Sequence, residues 1–173
     1  MIRKIFSYGA IAGLVVGLPL FGITVAMNGH TLEYGVVLGY LTMLVALSLV
    51  FVAIKRRRDQ DLGGVIRFWP AFGLGMGISA VASLFYVLAW EAALAVTGMD
   101  FAGDYAKVLI AQQQAQGVSG EALAEFVAGM ETFKAQYANP LYRVPMTLAE
   151  ILPVGLLVSL VSAGLLRNSG FMP

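Results

Sequence analysis

The chain contains no cysteine and only one histidine, His30. Disulfides, thiolate metal centres and a cysteine nucleophile are therefore excluded, and a His-rich zinc site lacks its donors. Charge is scarce as well. Only 12% of the 173 residues are Asp, Glu, Lys or Arg, about half of the roughly 25% found in an ordinary globular domain. That shortage rules out a soluble single domain. Eleven Lys and Arg stand against ten Asp and Glu, a net charge of +1, which is too small to suggest a nucleic-acid partner. What remains is apolar: 59% of the residues are hydrophobic. The length fits one unit covering 1–173, at about 150 residues per domain, and a membrane span takes roughly 20 apolar residues.

Four apolar runs meet that length: Ile5 to Met27, Tyr34 to Ile54, Phe68 to Val96 and Pro145 to Leu166. The first follows Arg3 and Lys4 as a signal peptide would. It is longer than the usual apolar region of roughly 7 to 15 residues and lacks an A-x-A site, so it reads as a retained helix. The third run is longer than a span requires and predicts tilt or emergence from the membrane. Arg3, Lys4, Lys55, Arg56, Arg57, Arg58, Arg67 and Arg167 all fall on one side of these spans. The positive-inside rule makes that side the cytoplasm, with both termini on it.

The stretch Gly98 to Tyr142 carries Asp100, Asp104, Glu121, Glu125 and Glu131 against Lys107 and Lys134, an acidic balance that suits the opposite side. A structureless segment of this length inside a compact domain is unusual, and its periodicity predicts an extracytoplasmic helical hairpin. Phe101, Tyr105, Val108, Leu109 and Gln112 mark one apolar face, ended by Gly117. Ser119 is placed to cap a second helix with Leu123, Phe126, Val127, Met130, Phe133 and Tyr137 on its apolar side. Asn139 and Pro140 end that helix. The simplest use of the two faces is to pack within the chain; lipid headgroups and a partner protein are the other candidates.

Association inside lipid relies on close van der Waals packing, which small residues permit. Gly9, Gly13 and Gly17 recur in the first span, Gly73 with Gly77 and Gly75 with Ser79 and Ser83 in the third, and Gly155, Ser159 and Ala163 in the fourth. These stripes suit a compact bundle or a homo-oligomer. Pro19 and Pro153 free the carbonyls of Val15 and Ala149 and predict kinks.

Glu91 and Glu150 are the acids at membrane depth. With Glu150 counted from Pro145, both lie roughly 8 Å inside the outer boundary at 1.5 Å per residue. A buried carboxylate requires a partner, and Arg143, near Glu150 in sequence, is the candidate. His30 and Glu33, between the first two spans, complete a candidate polar cluster with Glu91, Glu150 and Arg143. In such a cluster the carboxylates would accept protons or cations, with Arg143 as counter-ion and His30 as relay. The plainer reading makes Glu91 an interfacial neighbour of Trp90 and Glu150 the structural partner of Arg143. Lys55, Arg56, Arg57 and Arg58 read as a cytoplasmic basic anchor that also attracts anionic headgroups. Asp59 and Asp61 beside them read as exposed salt-bridge partners of little weight.

The segments GYLTMLVALSLVFVAIKRRRDQDLGGVIRFWPAFGLGMGISAVASLFYVLAWE, Gly39 to Glu91, and NPLYRVPMTLAEILPVGLLVSLVSAGLL, Asn139 to Leu166, resemble the bacterial membrane-protein family called domain of unknown function 4199. The basic turn IKRRRDQDLGGVI, the WE ending the third span and EILPVGLL in the fourth carry the resemblance, which extends over nearly the whole chain. RFWP departs from a milder polar segment, although Pro70 is tolerable in the first turn of a helix. The resemblance implies a small four-helix protein of a bacterial cytoplasmic membrane and no particular activity.

The expected fold is thus an all-α polytopic bundle of four transmembrane helices with a helical hairpin before the fourth. Its surroundings are the lipid bilayer, with a membrane-protein partner or a second copy on its small-residue faces. No cofactor and no metal are implied. Abundant packing features and sparse chemistry favour a non-enzymatic accessory or assembly factor of a bacterial inner membrane. The alternative is a small proton- or cation-coupled carrier or channel using Glu91 and Glu150. A lipid-modifying enzyme ranks last, for want of a nucleophile or metal set.

Overall fold

The computed structural model describes residues 1–27 and 35–167, and every element among them is helical. In order these are α1 (Ile2–Ala26), α2 (Gly35–Arg56), a π-helical turn (Arg57–Asp61), α3 (Phe68–Thr97), α4 (Phe101–Ala115), α5 (Gly120–Tyr137) and α6 (Pro140–Leu166). Four of them, α1, α2 with its π-helical turn, α3 and α6, are long and apolar enough to cross a membrane. The fourth begins at Pro140, five residues before the start expected from hydropathy. Asn139 accepts a hydrogen bond from the Leu141 amide at 3.0 Å and Pro140 occupies the first turn, where its missing N–H costs nothing. Pro19, Pro145 and Pro153 all lie within continuous helices.

The bundle is organised around α3, whose apolar window is 50% buried against 28–33% in the other three. Glycines in α1 let it lie directly on α3. A Cβ on Gly13 would come within 2.5 Å of Phe85 Cβ, and one on Gly9 within 2.6 Å of Val81 Cβ. Gly17 faces Ala89 in the same way, so residue numbers rise together and the two helices run parallel. Helix α6 meets α3 antiparallel through a reciprocal exchange. Gly75 accommodates Ser159, and Gly155 accommodates Ser79. The stripes are thereby used within the chain, except at Gly73, which faces open space. Ala12, Val16, Leu47, Val50, Leu74, Ile78 and Ile151 fill the core. Leu14, Leu18, Leu44, Leu84, Leu88 and Leu157 point outward, as a lipid-facing surface requires.

Helices α4 and α5 pack on each other and reach the bundle mainly through α6. Asp100, not singled out by the sequence pattern, caps α4 by accepting from the Gly103 amide at 2.9 Å. The helix closes at Gly117, which adopts φ +84° while the Val118 amide bonds back to the Gln113 carbonyl and Gly117 to Gln114. This paired closure needs a left-handed residue, and glycine adopts it without a Cβ clash. Two expectations are corrected here. Ser119 stands at the N-cap of α5 with its side chain unused. Of the expected α4 face, Phe101 and Leu109 are half-buried and Phe101 and Tyr105 meet α5 rings, but the fully buried positions are Ala102, Gly103 and Ala106, while Tyr105, Val108 and Gln112 are exposed, because small residues give the closer approach.

Overpacking a filled contact costs about 1–3 kcal/mol, so Gly13→Val is expected to lower stability by that amount. Gly73→Ala, with nothing within 4 Å of the new Cβ, is expected to be neutral or slightly stabilising. Unfolding midpoints in mixed micelles, read by circular dichroism, check both; equal midpoints for wild type and Gly13→Val would refute the close α1–α3 contact.

Candidate functional site

The polar side chains predicted to cluster separate into two levels. At the first, Arg143 on α6 donates from Nε to Glu91 Oε1 at 2.7 Å and from Nη2 to Glu91 Oε2, a two-toothed pair bridging α6 and α3. Its third nitrogen, Nη1, donates to the Tyr137 carbonyl at 3.2 Å. The guanidinium also lies 5.7 Å from the centre of the Tyr137 ring, within range of a cation–π contact. Arg143 therefore ties together α3, the C-terminal end of α5 and its own helix. The side chains of Arg143 and Glu91 are 15% and 27% exposed, so water screens the pair only partly.

Tyr137 is the hub next to this pair. Its hydroxyl accepts from Trp90 Nε1 at 2.8 Å. Its ring lies 5.5 Å from both Phe101 and Phe133. Phe101 in turn meets Trp90 edge to face at 5.0 Å, and Phe133 meets Tyr105 at 5.9 Å. Burial, first of all, pushes the Tyr137 phenol up to about 12, with the Glu150 and Glu91 charges adding to it; it stays neutral at any physiological pH. Beside this group an open pocket of about 390 Å³ is lined by Glu91, Gly98, Asp100, Phe101, Lys134 and Arg143, among others.

The second level lies deeper. Because α6 starts at Pro140, Glu150 sits ten residues into the helix, roughly 15 Å along its axis. It accepts a hydrogen bond from Tyr86 Oη at 3.1 Å, and it is exposed on the surface of the chain. The expected pairing of Glu150 with Arg143 is thus replaced by two separate contacts, and Glu91 and Glu150 do not share a depth. His30 and Glu33 lie outside the described residues.

At the far end of the bundle the basic run is engaged more closely than a solvated anchor. Lys55 reaches Asp59 at 2.7 Å, and Lys4 reaches Asp61 at 2.7 Å. Arg56 donates to the Tyr8 hydroxyl at 3.1 Å. Arg58 is 1% exposed, with its Nε on Asp59 Oδ1. Arg57 keeps Nε and Nη1 covered by protein atoms with no acceptor among the described residues.

Sequence reasoning missed Tyr86, Trp90, Phe101 and Tyr137 as members of the polar and aromatic network. Tyr86 and Trp90 are four residues apart on α3 and precede Glu91 by five residues and by one. That spacing was the available signal.

The four apolar helices and the ion-paired junction above them make this a helical bundle of membrane-protein type. A family model described as "Protein of unknown function (DUF4199)" matches residues 7–168. The chain belongs to that family. No curated protein and no solved structure matches it.

Removing one member of a buried ion pair costs about 3–5 kcal/mol, and partial exposure lowers the expectation for Arg143→Ala to about 2–3 kcal/mol. Arg143→Lys restores only part, because a single ammonium cannot make the two-toothed contact. A cycle with Glu91→Gln and Arg143→Gln, read as unfolding midpoints in mixed micelles, is expected to give a coupling above about 1 kcal/mol. Strictly additive losses would mean that the pair holds nothing together.

Proposed function

We propose that the protein is a non-enzymatic accessory or assembly factor of a bacterial inner membrane, with both termini cytoplasmic and the α4–α5 pair displayed outside. The observation that carries this reading is the spending of Glu91 and Arg143 on one another and on Tyr137. Charges placed at this level hold α5 to the bundle and are not left open to a transported ion. A four-helix core closed by glycine contacts then serves as a mount, and α4 and α5 as the part that is presented. Val108, 50% accessible, is the apolar side chain of α4 most open to a partner, beside Tyr105, which is 45% accessible but also meets Phe101 and Phe133. The placement of eight of the eleven cations at the opposite end supports the orientation.

A second reading rests on Glu150. Its carboxylate has Tyr86 as hydrogen-bond partner and, among the described residues, no cation in ion-pair range. An acid at this depth without a counter-charge is the kind of group that a proton- or cation-coupled carrier uses.

The two readings separate in one experiment. Tagged protein at native level is recovered in mild detergent as wild type, as Val108→Glu, and as Glu150→Gln, and the recovered material is weighed by mass photometry and mass spectrometry. The accessory reading expects a stoichiometric foreign protein that drops about tenfold with the α4 variant and stays with Glu150→Gln. A homo-oligomer alone, together with proton flux in liposomes that Glu150→Gln abolishes, would replace it with the carrier reading.

A further inference from the structure

Among the described residues, the turn that follows α2 brings together more cations than acids. Five cations, Lys4, Lys55, Arg56, Arg57 and Arg58, meet there with two acids, Asp59 and Asp61. Asp59 is held by both Lys55 and Arg58, one on each oxygen. Asp61 takes Lys4 on Oδ2, and Arg56 is satisfied by Tyr8. Arg57 is the exception: its charge acts on Asp61 from a distance, but its Nε and Nη1 are shut away from solvent and, among the described residues, neither has an acceptor. A guanidinium is permanently charged and carries five N–H donors, and burying such donors without acceptors is costly. The residue also opens the π-helical segment Arg57–Asp61, a wound-out geometry that tends to persist where function requires it. Gly63 and Gly64, at φ +65° and +90°, then turn the chain back towards α3, with the Gly64 amide closing on the Arg58 carbonyl at 2.9 Å.

We propose that Arg57, in the π-helical turn at the basic end of the bundle, is the centre of a binding site for a phosphate group. Phosphate oxygens supply the acceptors that Nε and Nη1 lack, and the excess of cations over Asp59 and Asp61 in this turn favours an anion there. The ligand chemistry is that of a phosphodiester or phosphomonoester anion, which guanidinium groups bind strongly. In a helix crossing a bilayer this turn falls at the level of the headgroups. The source of the phosphate is then an anionic phospholipid, and because Nε and Nη1 are covered by protein atoms the flexible arginine stem must turn the guanidinium outward to meet it. The site differs from general attraction to a charged surface because it depends on one residue and not on the count of cations.

The test uses the full-length protein in neutral detergent, phosphate-free, with thermal unfolding read after addition of phosphatidylglycerol, phosphatidylcholine or inorganic phosphate. Wild type, Arg57→Gln and Arg3→Gln are compared; Arg3 is exposed at the same end, so both variants lose one charge there. Phosphatidylglycerol is expected to stabilise wild type where phosphatidylcholine does not. Its apparent affinity should fall about tenfold in Arg57→Gln, the value of one charge-assisted hydrogen bond, and less than about twofold in Arg3→Gln. Without added ligand, Arg57→Gln is expected to unfold at most slightly earlier than wild type, since it loses no hydrogen bond at Nε or Nη1 and only the attraction of its charge for the exposed Asp61 carboxylate. An equal stabilisation by inorganic phosphate alone, again lost in Arg57→Gln, assigns the site to a soluble phosphate. An equal loss in both variants, or no preference for the anionic lipid or phosphate, overturns the proposal.

Discussion

The closeness of α3 to its two neighbours is the constraint from which the rest of the molecule follows. In lipid, apolar side chains gain little by leaving the surroundings, so helices hold together where their backbones come near enough for dense contact. Helix α3 obtains this on one side by laying Val81, Phe85 and Ala89 over the glycines of α1. On the other side it exchanges Ser79 for Gly155 and Gly75 for Ser159 with α6. That second contact also sets a register. Moving twelve residues up α3 from Ser79 and twelve back along α6 from Gly155 arrives at Glu91 and Arg143, the pair that closes the end of the bundle. A slip of one turn at the glycine–serine contact would carry the carboxylate away from its cation by roughly 5.4 Å.

The same register sets Tyr86 opposite Glu150. The two acids at depth therefore have different partners for a geometric reason, since each meets what α3 or α6 presents at its own height. Arg143 adds a direction to the closure, because its third donor reaches the last carbonyl of α5. Helix α5 is fixed by that bond, and α4 follows through Phe101, which meets Tyr137, and Tyr105, which meets Phe133. A guanidinium does this where an ammonium would not, since it offers donors on several edges of one plane.

Run length and composition made the four long helices legible, because hydrocarbon thickness imposes a minimum that few soluble sequences meet. The start of α6 was less legible. Asn139 and Pro140 read as the end of α5, and the same two residues also begin α6, as cap and first turn. That shift of five residues is why Glu150 looked level with Glu91. On α4 the aromatic positions drew attention as the packed face, whereas Ala102, Gly103 and Ala106 are the ones buried. Periodicity marks a face by hydrophobicity, and close helix contact selects for smallness instead. The pairing of Arg143 with Glu91 over Glu150 was not available from spacing along the chain, because it depends on the α3–α6 register.

The two ends of the bundle treat charge in opposite ways, and the contrast bears on what each end is for. At the α4–α5 end the cation is consumed: every nitrogen of Arg143 has an acceptor within the chain. Such closure favours rigidity, because each broken contact strands a partner in a poorly solvated place. At the basic end the described cations outnumber Asp59 and Asp61, and Arg57 retains donors that no described residue accepts. A bundle built only to stand upright in a bilayer would need positive charge at that end but no screened, unanswered guanidinium. The imbalance is sensible if the missing acceptors come from the phosphate layer. One end is then fastened by the chain to itself and the other by the membrane to the chain.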